Sequence, residues 1–168
     1  MSIEVTKIYK DHFPAARFIG KRYTMGDNPT VFAQKWGEWM NNGWFTSLEE
    51  ICLAEYDYLG LMTFSDMSGS DFTYWIGMFA ESNTPVPDGY LAYDLPESDI
   101  AVAWVKGKEP EIYGKDEIVI KKFQEAELSK LRFDINGGGV SLERYNCPRF
   151  TTPDADGNVT LDYCYYIE

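Results

Sequence analysis

In Ser141-Leu142-Glu143-Arg144-Tyr145-Asn146-Cys147 a carboxylate and a phenol stand two residues apart, Glu143 and Tyr145. The segment reads as a strand, whose successive side chains point to opposite faces. Glu143, Tyr145 and Cys147 then share one face, and Leu142, Arg144 and Asn146 the other. Aromatic residues make up 16% of the 168-residue chain, including 5 Trp and 12 Tyr, and most lie in segments able to fold around this strand. A carboxylate walled by rings is costly to keep charged unless a cation or hydrogen-bond donors answer it. Two chemistries follow. A cationic aromatic guest gains from stacking on Trp or Tyr and from pairing with the carboxylate. Alternatively, the carboxylate orients or deprotonates a water, for which burial must lift its pKa toward neutrality. The competing reading is a solvent-facing Glu143, or one paired with Arg144 or a lysine.

Other candidate chemistry is weaker. His12 is the one histidine, so a Ser-His-Asp or Cys-His mechanism and a His-rich metal site have no support. Cys52, Cys147 and Cys164 are odd in number and far apart, which suggests neither a disulfide framework nor a zinc site. Cys147 and Cys164 can meet across a hairpin, although reduced packing thiols are the simpler expectation. Asp154-Ala155-Asp156-Gly157-Asn158 has calcium-loop acidic spacing, but its Gly comes too early and Tyr165 stands where the closing Glu belongs, so it reads as a hairpin turn. Gly137-Gly138-Gly139 lacks the Lys-Ser/Thr of a phosphate loop and precedes a strand. No cofactor is expected.

The chain carries 15 Lys+Arg against 27 Asp+Glu, a formal net charge of -12. A nucleic-acid backbone is repelled by most of such a surface, so direct nucleic-acid binding is not expected. Met1 to Phe13 has no basic region followed by an apolar run, and no apolar stretch is long enough to span a bilayer. A cytoplasmic protein without membrane partners is expected. No linker composition interrupts residues 1–168, which implies a single domain, with residues 1–13 an N-terminal extension or a first strand.

The elements that must position Glu143 can be read from pattern. Residues 15–23 suit a strand ending at Gly26, Asp27 and Asn28. Asn28-Pro29-Thr30 opens a helix with Phe32, Trp36, Trp39 and Met40 on one apolar stripe, which reads as core, and Asn41-Asn42-Gly43 closes it. Residues 58–64 and 72–79 read as a hairpin joined by Ser65 to Asp71, and residues 100–105 as the next strand. Gly114 to Leu131 favours a helix over its second half. The Glu143 strand and Val159–Ile167 make a second hairpin. The order strand, helix, hairpin thus occurs twice. The fold class is α+β: a duplicated β-α-β-β unit, antiparallel sheet with helices on one face, and a central ligand cleft.

Four segments resemble the GyrI-like effector-binding domains of AraC-type and MerR-type multidrug regulators. They are Phe72 to Met78 (FTYWIGM), Pro87-Asp88-Gly89 followed by Leu95 to Val102, Leu142-Glu143-Arg144-Tyr145, and Leu161 to Ile167. The likeness runs from about residue 14 to the end and rests on the order and spacing of the four together. Tyr166 stands where a proline is usual and Trp75 is bulkier than the commonest residue, so ligand identity does not carry over. The resemblance implies a SOUL/GyrI-like fold and places Glu143 in a cleft that answers cationic, aromatic drugs. Tyr145, Tyr74, Trp75, Cys164 and Tyr166 are the companion candidates for ligand contact. Tyr74 and Trp75 point to opposite faces, so one of them is core. On the last strand the family pattern packs Leu161, Tyr163, Tyr165 and Ile167 inward and turns Asp162, Cys164 and Tyr166 toward the cleft.

The function so implied is a stand-alone binder of a hydrophobic, cationic or amphipathic small molecule, a sensor or sequestering module related to transcription regulation but without the DNA-reading half. The first alternative is an enzyme, since some stand-alone relatives hydrolyse reactive cyclopropane-bearing compounds. Glu143 would then be the catalytic carboxylate, with Glu38 or Asp162 as a second acid. The second alternative is a protein partner, gyrase or a regulator, bound by the acidic surface in imitation of nucleic acid.

Overall fold

The computed structural model describes residues 3–24, 30–65, 72–109 and 111–168. Along the chain run β1 (Glu4–Phe13), β2 (Ala16–Thr24), α1 (Thr30–Asn42), α2 (Trp44–Glu49), β3 (Tyr58–Phe64), β4 (Thr73–Ala80), β5 (Leu91–Leu95), β6 (Ser98–Gly107), α3 (Asp116–Glu125), β7 (Gly139–Tyr145) and β8 (Val159–Ile167). The expected turn at Gly26, Asp27 and Asn28, the helix-opening Pro29, and residues 66–71 of the expected hairpin turn lie outside the described residues.

The strands form one antiparallel sheet in the order β1-β6-β8-β7-β3-β4-β2-β5. Its middle six are the two expected units, β2-α1-β3-β4 and β6-α3-β7-β8, joined where β3 pairs with β7. Residues 4–13 are a strand, pairing along nearly their whole length with β6. β1 lies six strand steps from β2, about 29 Å across a flat sheet. Pro14 and Ala15 are the whole connection between them, and two residues reach only about 11 Å. The sheet must therefore curl.

The concave interior this creates holds Phe13, Phe18, Leu59, Leu61, Trp75, Phe79, Val102, Leu142, Cys164 and Tyr166, all buried. Phe13 of β1 meets Phe79 of β4 and Tyr166 of β8 edge-on, at 5.6 and 6.1 Å, so one ring ties both halves together. The opposite face carries the helices. α1 and α2 cover Ile19, Tyr74, Ile76 and Met78 with Trp39, Phe45 and Leu48, while α3 covers Ala101, Ala103, Leu161, Tyr163 and Tyr165 with Val119 and Phe123.

Two sequence expectations need correction. Met40 is 57% exposed: at 100° per residue it falls about 40° beyond Trp36, on the rim of the arc of Phe32, Trp36 and Trp39 rather than within it. α3 occupies the first part of 114–131 and stops at Glu125. Glu127 turns left-handed (φ 60), its N–H bonds to Gln124 O, and the Leu128 N–H bonds back to Phe123 O. That arrangement satisfies the helix's last carbonyls and ends it despite favourable propensity beyond. Among the described residues no helix is long and apolar enough to cross a membrane.

Candidate functional site

Glu143 lies on β7 opposite Gly60 of β3, on the helix-bearing face where the two units meet. Its Oε1 accepts the Tyr74 hydroxyl at 2.9 Å and the Tyr145 hydroxyl at 3.2 Å. Trp36 Nε1 of α1 donates to the Tyr74 hydroxyl at 2.8 Å, and the Trp36 ring lies 4.4 Å from that of Tyr145. Phe32 covers Tyr74 at 4.3 Å, and Phe150 meets Tyr145 edge-on at 4.8 Å. The result is a carboxylate on a floor of strands, walled by rings from β4, β7, α1 and the loop after β7.

Gly60 makes the room. A Cβ there would sit 2.6 Å from the Tyr74 hydroxyl and 3.0 Å from Glu143 Oε1, inside contact distance of both. From the other side, Asp116 in the first turn of α3 accepts the Tyr165 hydroxyl, and its charge reaches Glu143. A carboxylate suits that position, since the helix N-terminus carries partial positive charge.

Burial pushes the Glu143 pKa up to about 7. The Tyr74 hydrogen bond pulls it down, Asp116 raises it, and the Tyr145 bond lowers it again. Glu143 and Tyr145 as whole residues are half-buried. Burial, and then the Glu143 charge, hold the Tyr74 and Tyr145 phenols well above the usual tyrosine range. Both therefore stay protonated donors at neutral pH. No cation of the described residues pairs with Glu143: Arg144 points to the other face and binds Asp162 at 2.8 Å. Neither a solvent-facing glutamate nor one paired with Arg144 describes what is seen.

The structure brings Glu143, Tyr145 and Tyr74 together and separates the other candidates from them. Trp75 lies in the concave interior against Phe18 and Tyr93, so Tyr74 is the one of the pair beside Glu143. Cys164 and Tyr166 are also interior. The register explains this, because Glu143 pairs with Tyr163. Tyr163 and Tyr165 therefore share the Glu143 face, the reverse of the expected parity. Neither proposed second acid is near. Glu38 pairs with Lys35 on α1, and Asp162, fully buried on the concave side, is held by Arg144 and Arg149. Asp116 is the acid that acts on Glu143. Trp36, expected as core, is part of the site, while Trp39 is fully buried. Among the described residues no cluster of three or more His, Cys, Asp or Glu could hold a metal.

No protein-family model matches the chain, and no curated protein matches it. Solved structures do. A Staphylococcus aureus MU50 protein ascribed to bacterial transcription regulation is 14% identical, with a TM-score of 0.67 over 96% of this chain and 98% of that one. SAV2435, solved bound to tetraphenylphosphonium, is 13% identical, with a TM-score of 0.71 over 97% and 94%. EcmrR, solved on DNA, is 10% identical, with a TM-score of 0.62 over 96% of this chain and 57% of that one. The likeness is one of fold, and it extends over nearly the whole of this chain.

Proposed function

We propose that the chain binds a cationic, aromatic or amphipathic small molecule at the meeting of its two halves, with Glu143 as charge partner, Trp36 and Tyr145 as stacking surfaces and the buried Tyr74 hydroxyl holding the carboxylate in place. The observation that carries this is a ring-walled carboxylate answered by two phenols and, among the described residues, by no cation. A positive guest supplies the missing partner, and each ring face adds a cation–π attraction that grows as water is excluded. Tetraphenylphosphonium, the ligand of SAV2435, is a cation of this class and serves as the probe. Titrated calorimetrically, it should bind the wild type saturably and bind Glu143→Gln at least about tenfold more weakly. Equal affinity in both, or no binding, contradicts the proposal.

A second reading is hydrolysis of an electrophilic compound, such as a reactive cyclopropane. It is favoured by one observation, a Glu143 pKa near 7, the range of an efficient general base at neutral pH. Product formation that disappears in Glu143→Gln supports it; stoichiometric binding without product removes it.

A further inference from the structure

On the concave side of the sheet, away from Glu143, a groove of about 520 Å³ opens between Thr6 of β1, Trp104 and Lys106 of β6, Thr160 of β8, and Arg149 and Asn158 of the β7–β8 connection. Trp104 pairs in register with Asp162, and Glu143 with Tyr163, the next residue, which puts the two places on opposite faces. The size lies within the range of small-molecule sites, about 300–1,000 Å³.

Its chemistry is unlike that of the rest of the chain. Although the net charge is -12, positive charge gathers here. Arg144 and Arg149 share the single Asp162, bound at 2.8 and 2.5 Å, leaving the triad one charge positive. Lys7 sits over the Trp104 ring at 4.6 Å, with no carboxylate partner among the described residues. Lys106 pairs with Asp154 at 3.2 Å but stays 40% exposed at the groove. Arg149 stacks 4.2 Å from Trp104 and commits Nε and Nη2 to Asp162, so Nη1 has no hydrogen-bond partner among the described residues.

Two buried polar atoms on the lining residues are also unanswered, Trp104 Nε1 and Asn158 Oδ1. Folded proteins seldom leave such groups without a partner, and a site supplied with fixed donors is where a guest's acceptors are recognised. The amide of Asn158 can present either its oxygen or its nitrogen.

We propose that this groove is a second binding site, for a small flat organic anion of the aromatic carboxylate class. The carboxylate is recognised by the Trp104 N–H, the Lys106 ammonium and the free edge of Arg149, and the apolar body lies along Trp104 and Pro148. This site does not depend on the cation-binding reading of Glu143.

The test uses 2-naphthoate, followed by calorimetry on the intact chain. Saturable one-to-one binding is expected. Trp104→Phe keeps the ring and removes the N–H, and Lys106→Met keeps the length and removes the charge. Each should weaken binding about fivefold, with unfolding midpoints matching the wild type, while Glu143→Gln leaves the affinity unchanged. Absence of saturable binding to the folded wild type overturns the proposal. So does affinity unchanged in both groove variants, and so does loss of binding in Glu143→Gln, which would place the anion at Glu143.

Discussion

Two carboxylates, the half-buried Glu143 and the fully buried Asp162, have opposite surroundings, and their effects on stability should have opposite sign. Glu143 has its pKa raised in the folded state from 4.5 to about 7, so its contribution is fully present below 4.5 and is lost as pH rises through about 7. Glu143→Gln removes that loss and keeps an acceptor for both phenols. In urea unfolding the variant should equal the wild type near pH ~5 and exceed it by on the order of 1–3 kcal/mol above pH ~8. Asp162 is fully buried and satisfied by two guanidinium groups. Asp162→Asn leaves both cations short of a counter-charge and should destabilise by about 3 kcal/mol or more at any neutral pH. Gly60→Ala pushes a methyl onto the Tyr74 hydroxyl and Glu143. It should lower stability by about 1–3 kcal/mol and weaken tetraphenylphosphonium binding, both measurable on one preparation.

The elements explain which parts of the sequence could be read. The Ile76-Gly77 pair of FTYWIGM has a steric cause: Gly77 faces Gly20 across β4 and β2, and a Cβ on Gly77 would lie 2.1 Å from Ile19 O. Backbone cannot yield there as a side chain tip can. Gly77→Ala should cost about 3 kcal/mol in thermal or denaturant unfolding. The strands of the two hairpins were legible because apolar and aromatic runs ended in turn residues, and Glu143 stood out by its aromatic company. β1 was read only as a possible strand because it is an edge strand, mostly exposed and rich in lysine, which hides the alternation. β5 is a short edge strand. α2 follows at once on the left-handed Gly43, a residue that normally marks only an ending. β8 is buried on both faces, so no polar alternation shows which of its tyrosines face Glu143. The pairing of Glu143 with Tyr163 decides that, and pairing is not written in β8 alone. Trp36 was missed because an apolar helix position looks the same over core as beside a polar cluster.

At the scale of the molecule, a duplicated unit puts its seam at the middle of the sheet, and curling gives the sheet an inner face packed with rings. On the helix side Glu143 stands on the line where β3 meets β7, with Trp36 of α1 and Asp116 of α3 reaching it from either half. The central claim is that this carboxylate receives a cation. Binding then competes with a proton, so affinity must follow the ionisation of Glu143. The most direct measurement is the dissociation constant of tetraphenylphosphonium from about pH 5.5 to 8.5 in wild type and Glu143→Gln. The account predicts wild-type affinity rising by up to about tenfold per pH unit below a midpoint near 7 and levelling above it, with a flat, weaker profile in the variant. A wild-type profile as flat as that of the variant would contradict it.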